Sequence, residues 1–163
     1  MNENESFRER LLKVITDNPG LHFRELQRRT GSAVGKLDYH LYQMERKGEI
    51  YSLKDARMVR FFVTSEDTVL ERRIALHMRN QVSKEIILKT ALAGEHELTV
   101  VENRTLQSLD KMKEDGILSY KVDGVKAQVT LENKEELVRF LKKYRRSFID
   151  SIAYSIFRML DEA

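Results

Sequence analysis

FRELQRRTGSAVGKLDYHLYQMERKGEI, residues 23–50, holds two short helical patterns either side of a glycine, with basic and amide side chains crowding the second. A piece of this kind is either an ordinary helical hairpin or a device for presenting one helix to a nucleic acid. Its surroundings decide. Over residues 23–30, Phe23 and Leu26 are the inward candidates of a first helix. Gly31 then supplies the left-handed conformation that a tight inter-helix turn often uses. Ser32 is a good N-cap for a second helix over 33–47, where Leu37, Leu41 and Met44 recur at helical spacing until Gly48 ends it.

Working outward, Phe7, Leu11, Leu12, Val14 and Ile15 form an earlier helical stripe that stops at Asn18-Pro19-Gly20. Beyond Gly48 the period changes. Ile50 to Leu53 and Val59 to Val63 read as two short strands, with residues 54–58 as the connecting tip. Helix, helix, turn, helix, β-hairpin is the order of a winged helix-turn-helix. Ser65 is placed to cap a further helix whose first turn carries Glu66 and Asp67, as the helix dipole favours. That pattern runs toward Asn80, a place to break or bend, and Val82, Ile86, Ile87 and Leu92 continue it to Gly94.

The plan then repeats. A short segment, residues 98–101, precedes a helix over about 104–115 with Leu106, Leu109 and Met112 inward, closed by Gly116 as Gly48 closed its counterpart. Residues 118–122 and 125–131 read as strands joined by Asp123-Gly124, a strong hairpin signal. MERKGEIYSL and MKEDGILSYKV are the best aligned pieces of the two halves, so the period of about 70 residues marks a duplication and not a solenoid. Asn133 with Glu136 resembles a capping box. Leu137, Phe140, Leu141 and Tyr144 make one terminal stripe. Phe148, Ile149, Ile152, Ile156, Phe157 and Leu160 make a wider one, too apolar to stand in water and read as a dimerisation surface.

With 163 residues, 41% hydrophobic and 34% charged, the chain is expected to fold as one or two small domains. No apolar run approaches the ~18 residues of a membrane span, and the polar start MNENESFRER is expected to be no secretory signal. The absence of cysteine fits a reducing interior and points to the cytoplasm. The net charge of +3 says less than its distribution. Residues 24–60 carry nine Lys or Arg against five Asp or Glu, whereas residues 94–132 carry five against eight. A polyanion is drawn to the first stretch and repelled by the second.

Residues 7–63 resemble the archaeal and bacterial winged-helix transcriptional regulators. Pro19-Gly20, the HFREL-like helix from His22 to Leu26, and a recognition helix containing Tyr39-His40-Leu41 carry the likeness; residues 76–131 resemble the same superfamily more loosely. Two departures stand out: Lys36 and Asp38 occupy places where uncharged polar residues are common, and the second copy lacks a glycine turn between helices. The resemblance implies a mainly α protein with small β-hairpin wings, made of tandem winged helix-turn-helix domains plus C-terminal dimerisation helices. It implies a dimer on double-stranded DNA, with the third helix in the major groove and the wing beside it.

The domains are expected at 1–65 (DNA-binding), 66–132 (linker helix and divergent second winged helix) and 133–163 (dimerisation helices). If Leu37, Leu41 and Met44 face inward, Lys36, Tyr39, His40 and Gln43 lie on or near the opposite face, with Ser32 and Ala33 at the helix start. That mix suits base edges and phosphates. Lys54, Arg57 and Arg60 of the wing over 53–60 suit the backbone or minor groove. Arg28 and Arg29 of the preceding helix suit the backbone. For each of these the plain alternative is a solvated surface charge. The acidic second copy is assigned to packing or partner binding.

No Gly-rich phosphate loop, nucleophile elbow or HExxH helix occurs, so no enzyme is expected. The scattered histidines lack metal-ligand spacing, and neither metal nor cofactor is expected. The pattern names no effector ligand. The expected function is a sequence-specific double-stranded DNA-binding transcriptional regulator, homodimeric. The rival class is a tandem winged-helix adaptor that binds protein without DNA readout, for which a basic face over 24–60 has no use. RNA binding is weaker still, since no aromatic stacking platform is evident.

Overall fold

The computed structural model describes residues 3–65 and 67–148, with side chains from residue 6 onward. The chain divides into two compact units, Met1–Asp67 and Thr68–Ala163.

In the first unit, α1 (Glu3–Asp17) buries Phe7, Leu11 and Ile15, spaced by four so that they fall on one face. The helix stops at Asn18, whose side-chain amide donates to the Val14 carbonyl at 2.9 Å, before proline and glycine turn the chain. β1 (Leu21–His22) is two residues long, too short for any periodicity to announce it. It leads straight into α2 (Phe23–Thr30), where the His22 N–H donates to the Glu25 carboxylate at 2.9 Å across the first turn. Gly31, at φ 66°, sends its N–H back to the Gln27 carbonyl and makes the turn into α3 (Val34–Arg46). The turn needs that left-handed residue, which glycine adopts without steric penalty.

Ser32 does not cap α3. Ala33 takes the N-cap position, with no side-chain cap bond, and the Ser32 hydroxyl donates instead to the Ala33 carbonyl at 3.0 Å. The helix is seated by Leu37, Leu41 and Met44, all buried in one cluster with Leu11, Leu26 and Ile50.

β2 (Ile50–Asp55) and β3 (Met58–Val63) follow, with β1 added beyond β3 in an antiparallel sheet of order β1-β3-β2. The five-residue tip expected from sequence is tighter. Asp55 pairs with Met58, leaving Ala56 and Arg57 as a two-residue loop, with Ala56 at φ 53°. Alternation along the hairpin puts Ile50 and Phe61 on the core face. It puts Tyr51 and Phe62, stacked at 5.5 Å, on the other.

The second unit opens with α4 (Val69–Met78) and α5 (Gln81–Ala93), broken at Asn80, whose side chain accepts from the Ser83 N–H. Thr68, not Ser65, caps α4, because Thr68 and Glu71 bond each other's backbone N–H groups reciprocally. β4 (Glu95–Thr99) passes directly into α6 (Asn103–Glu114), with no helix between them to match α2. β5 (Leu118–Asp123) and β6 (Lys126–Leu131) close a sheet of order β4-β6-β5.

α7 (Lys134–Lys143) and α8 (Arg145–Phe148) end the described chain. Asn133 precedes α7 but forms no capping box: its amide donates to the Gly116 carbonyl, and Glu136 accepts from the Thr68 hydroxyl.

Because α3 is seated by its apolar stripe, Leu37→Ala is expected to cost about 2–5 kcal/mol in denaturant unfolding. Tyr42→Ala, on the exposed side of the same helix, is expected to stay within about 0.5 kcal/mol.

Candidate nucleic-acid interface

The packing of α3 decides which of its residues meet solvent. Leu37, Leu41 and Met44 mark the inward direction, and at 3.6 residues per turn each step rotates about 100°. Gly35, Tyr39, Tyr42 and Arg46 then point most directly outward, and all four are exposed, Tyr39 at 58% and Tyr42 at 55%. Val34, 57% exposed, and Asp38 lie on one flank of that arc. The Arg46 guanidinium sits 5.8 Å from the Tyr42 ring centroid, a cation–π contact that steadies both on the outer surface. A Cβ built on Gly35 meets nothing within 4 Å, so the start of this face is bare main chain.

Lys36, His40 and Gln43 occupy the opposite flank and turn toward α1. His40 is only 6% exposed, with its ring 4.9 Å from that of Phe7. Lys36 is half-buried, its ammonium 4.7 Å from the same Phe7 ring. Gln43 is half-buried as well. His40 is therefore a packing residue, not an exposed contact. The helical rotation gives the reason, since His40 falls roughly 60° from the centre of the buried stripe. Burial, followed by the Lys36 and Arg8 cations, lowers its pKa and favours the neutral imidazole.

The wing separates in the same way. Lys54 and Arg57 are exposed at the hairpin end. Arg60 is 6% exposed; its Nε donates to Asp55 at 2.8 Å and another guanidinium nitrogen donates to the Gly20 carbonyl at 2.9 Å. It ties the wing to the turn after α1 and is withdrawn from any outside ligand. On α2, Arg24, Arg28 and Arg29 are exposed, while Thr30 is buried with its hydroxyl on the Leu26 carbonyl. Ser32 is half-buried and Ala33 exposed at the start of α3. Of the expected contacts, Arg28, Arg29, Ala33, Tyr39, Lys54 and Arg57 are thus presented to solvent. Val34, Asp38, Tyr42 and Arg46 join them; rotating the helix from its buried stripe finds the last three, whereas Val34, about as near the stripe as His40, is exposed at the helix start.

Internal pairing sharpens the charge asymmetry. Of the five acids in residues 24–60, Glu25 accepts from the His22 N–H, Glu49 pairs with Arg8, and Asp55 pairs with Arg60. Only Asp38 and Glu45 remain exposed, alongside seven exposed cations once buried Arg60 and half-buried Lys36 are set aside. In the second unit Lys126 pairs with Glu97, Arg73 with Asp115, and His77 with Asp115 at 2.6 Å. Arg79 donates to the Ser147 carbonyl and hydroxyl and lies 4.2 Å from the Phe148 ring. Phe148 is consequently buried within its own unit and is no free dimer contact. Ile149, Ile152, Ile156, Phe157 and Leu160 lie outside the described residues. Among the described residues no His, Asp or Glu group could hold a metal, and no helix is long and apolar enough to cross a membrane.

Arg60→Ala removes a buried guanidinium that bonds both Asp55 and the Gly20 carbonyl and is expected to cost about 3–5 kcal/mol in thermal or denaturant unfolding, against little change for Arg57→Ala. His40 gives a pH signature. Its folded pKa lies below the ordinary 6.5, so as pH falls through that value the unfolded chain takes up the proton first. Stability is complete above that pH and declines as pH falls from it toward the folded pKa. His40→Gln is expected to flatten that decline in urea titrations at stepped pH, with the other histidines unchanged as the internal reference.

A family model described as an N-terminal HTH domain matches residues 5–75. No curated protein matches the chain. The match begins within α1 and runs past the end of the wing, including the Gly31 turn and the outward face of α3. The amino-terminal unit thus carries a helix-turn-helix domain, an architecture used by DNA-binding regulators.

Proposed function

We propose that the protein is a sequence-specific double-stranded DNA-binding transcriptional regulator, with α3 in the major groove and the β2–β3 wing on the backbone or minor groove. The observation that carries this reading is the exposed charge of residues 24–60, seven cations against two acids, on the helix-turn-helix itself. Arg24, Arg28 and Arg29 supply phosphate contacts from α2, and Lys54 and Arg57 supply them from the wing. Tyr39, Tyr42 and the start of α3 meet base edges.

We read the second unit as a divergent winged helix that serves assembly. Its β4-β6-β5 order parallels β1-β3-β2, and both hairpins turn through two residues, which supports duplication. Its exposed Glu95, Glu97 and Glu102 oppose a polyanion. The apolar sequence after Phe148 supports a homodimer, which would set two recognition helices about one DNA turn apart. Such a regulator works in the cytoplasm, where the DNA is.

Fluorescence anisotropy with duplex DNA tests the reading. Affinity is expected to fall steeply between about 50 and 200 mM salt, and Arg28→Ala and Arg57→Ala are each expected to lower the log–log salt slope by about 1. Absence of binding at low salt, with a protein complex recovered in pull-downs, would replace this reading with that of an adaptor.

A further inference from the structure

Resting on the DNA-reading role proposed above, we propose that Asp38 selects a cytosine in the recognised site. Asp38 is exposed on a flank of α3, and its side chain forms no ion pair or hydrogen bond among the described residues, although the surrounding segment is rich in cations. It lies in the second turn of the helix, in the N-terminal half that enters the groove in helix-turn-helix complexes. Glu45, the other unpaired acid, is seven residues further on. At 1.5 Å per residue that is roughly 10 Å along the axis, toward the end that recedes from the bases.

A carboxylate carried into the major groove is repelled by the phosphates on both sides, so it is tolerated only where it accepts a hydrogen bond from a base. Two groups there donate, the N4 amine of cytosine and the N6 amine of adenine. Adenine places its N7 acceptor beside the amine, and two acceptors oppose each other. Cytosine presents a C5–H at the corresponding place, which a carboxylate does not oppose. Val34, one turn earlier on the same flank and 57% exposed, adds an apolar surface suited to the 5-position of a pyrimidine. Cytosine is therefore the base that this flank accepts.

Selection of binding sites from a random duplex pool, using the full chain, tests the assignment. The unmodified protein is expected to fix cytosine at one position. Asp38→Ala is expected to lose discrimination there by about 10-fold while leaving the other positions unchanged. Asp38→Asn is expected to move the preference at that position to adenine, whose N6 and N7 an amide satisfies together. Both variants are expected to bind unselected DNA more tightly, because a negative charge has gone, and to melt as the parent does. Sequence preferences that Asp38→Ala leaves intact would overturn the assignment and leave DNA reading standing. Failure of all three proteins to bind DNA would overturn DNA reading and the assignment together.

Discussion

Leu37, Leu41 and Met44 anchor α3 against α1, α2 and the first strand of the wing, and the phase of that stripe governs the rest of the amino-terminal unit. Once those three face inward, the helix has no freedom left to choose its outer surface. Tyr39, Tyr42 and Arg46 are displayed, His40 is enclosed beside Phe7, and Lys36 is drawn over the same ring. Burying an apolar side chain is worth about 1.5–3 kcal/mol, several times a surface ion pair. The core therefore sets the orientation, and the polar residues take the positions it leaves them.

Charge follows the same hierarchy. Arg60 looks in sequence like one more cation of the wing, yet the fold uses it internally, between Asp55 and the Gly20 carbonyl. Glu49 is likewise taken up by Arg8. Within residues 24–60 these pairings, with Glu25 on the His22 N–H, engage three acids but one cation, because Arg8 lies outside the segment. A modest excess in the sequence thus becomes a pronounced one on the exposed face, and the folded unit is a stronger cationic surface than its composition suggests.

Much of the architecture was legible because it rests on periodicity and punctuation. Gly31, Gly48, Gly116 and the spacing of Leu37, Leu41 and Met44 mark where helices turn, stop and pack. β1 escaped because two residues carry no period, and its pairing with β3 is a long-range contact. The caps went astray where several hydroxyl or amide residues competed. Thr68 prevailed over Ser65 because Glu71 stands three residues beyond it, and Asn133 found the Gly116 carbonyl instead of its own helix. On the candidate interface, the basic side chains of α2 and the wing tip were readable as surface charge. His40 and Arg60 were misread because their partners, Phe7 and Gly20, are distant in sequence. Tyr42 and Arg46 are legible in the sequence by rotation alone, since both lie opposite the stripe of Leu37, Leu41 and Met44.

Gly35 has an implication for how close another molecule can come. Alanine in a helix is favoured over glycine by up to about 1 kcal/mol, and no neighbour here would resist the extra methyl. Folding alone gives no reason to leave this position without a side chain. What glycine does provide is a notch at the front of the helix, where amide groups lie unshielded and a flat or grooved surface can settle against the backbone itself.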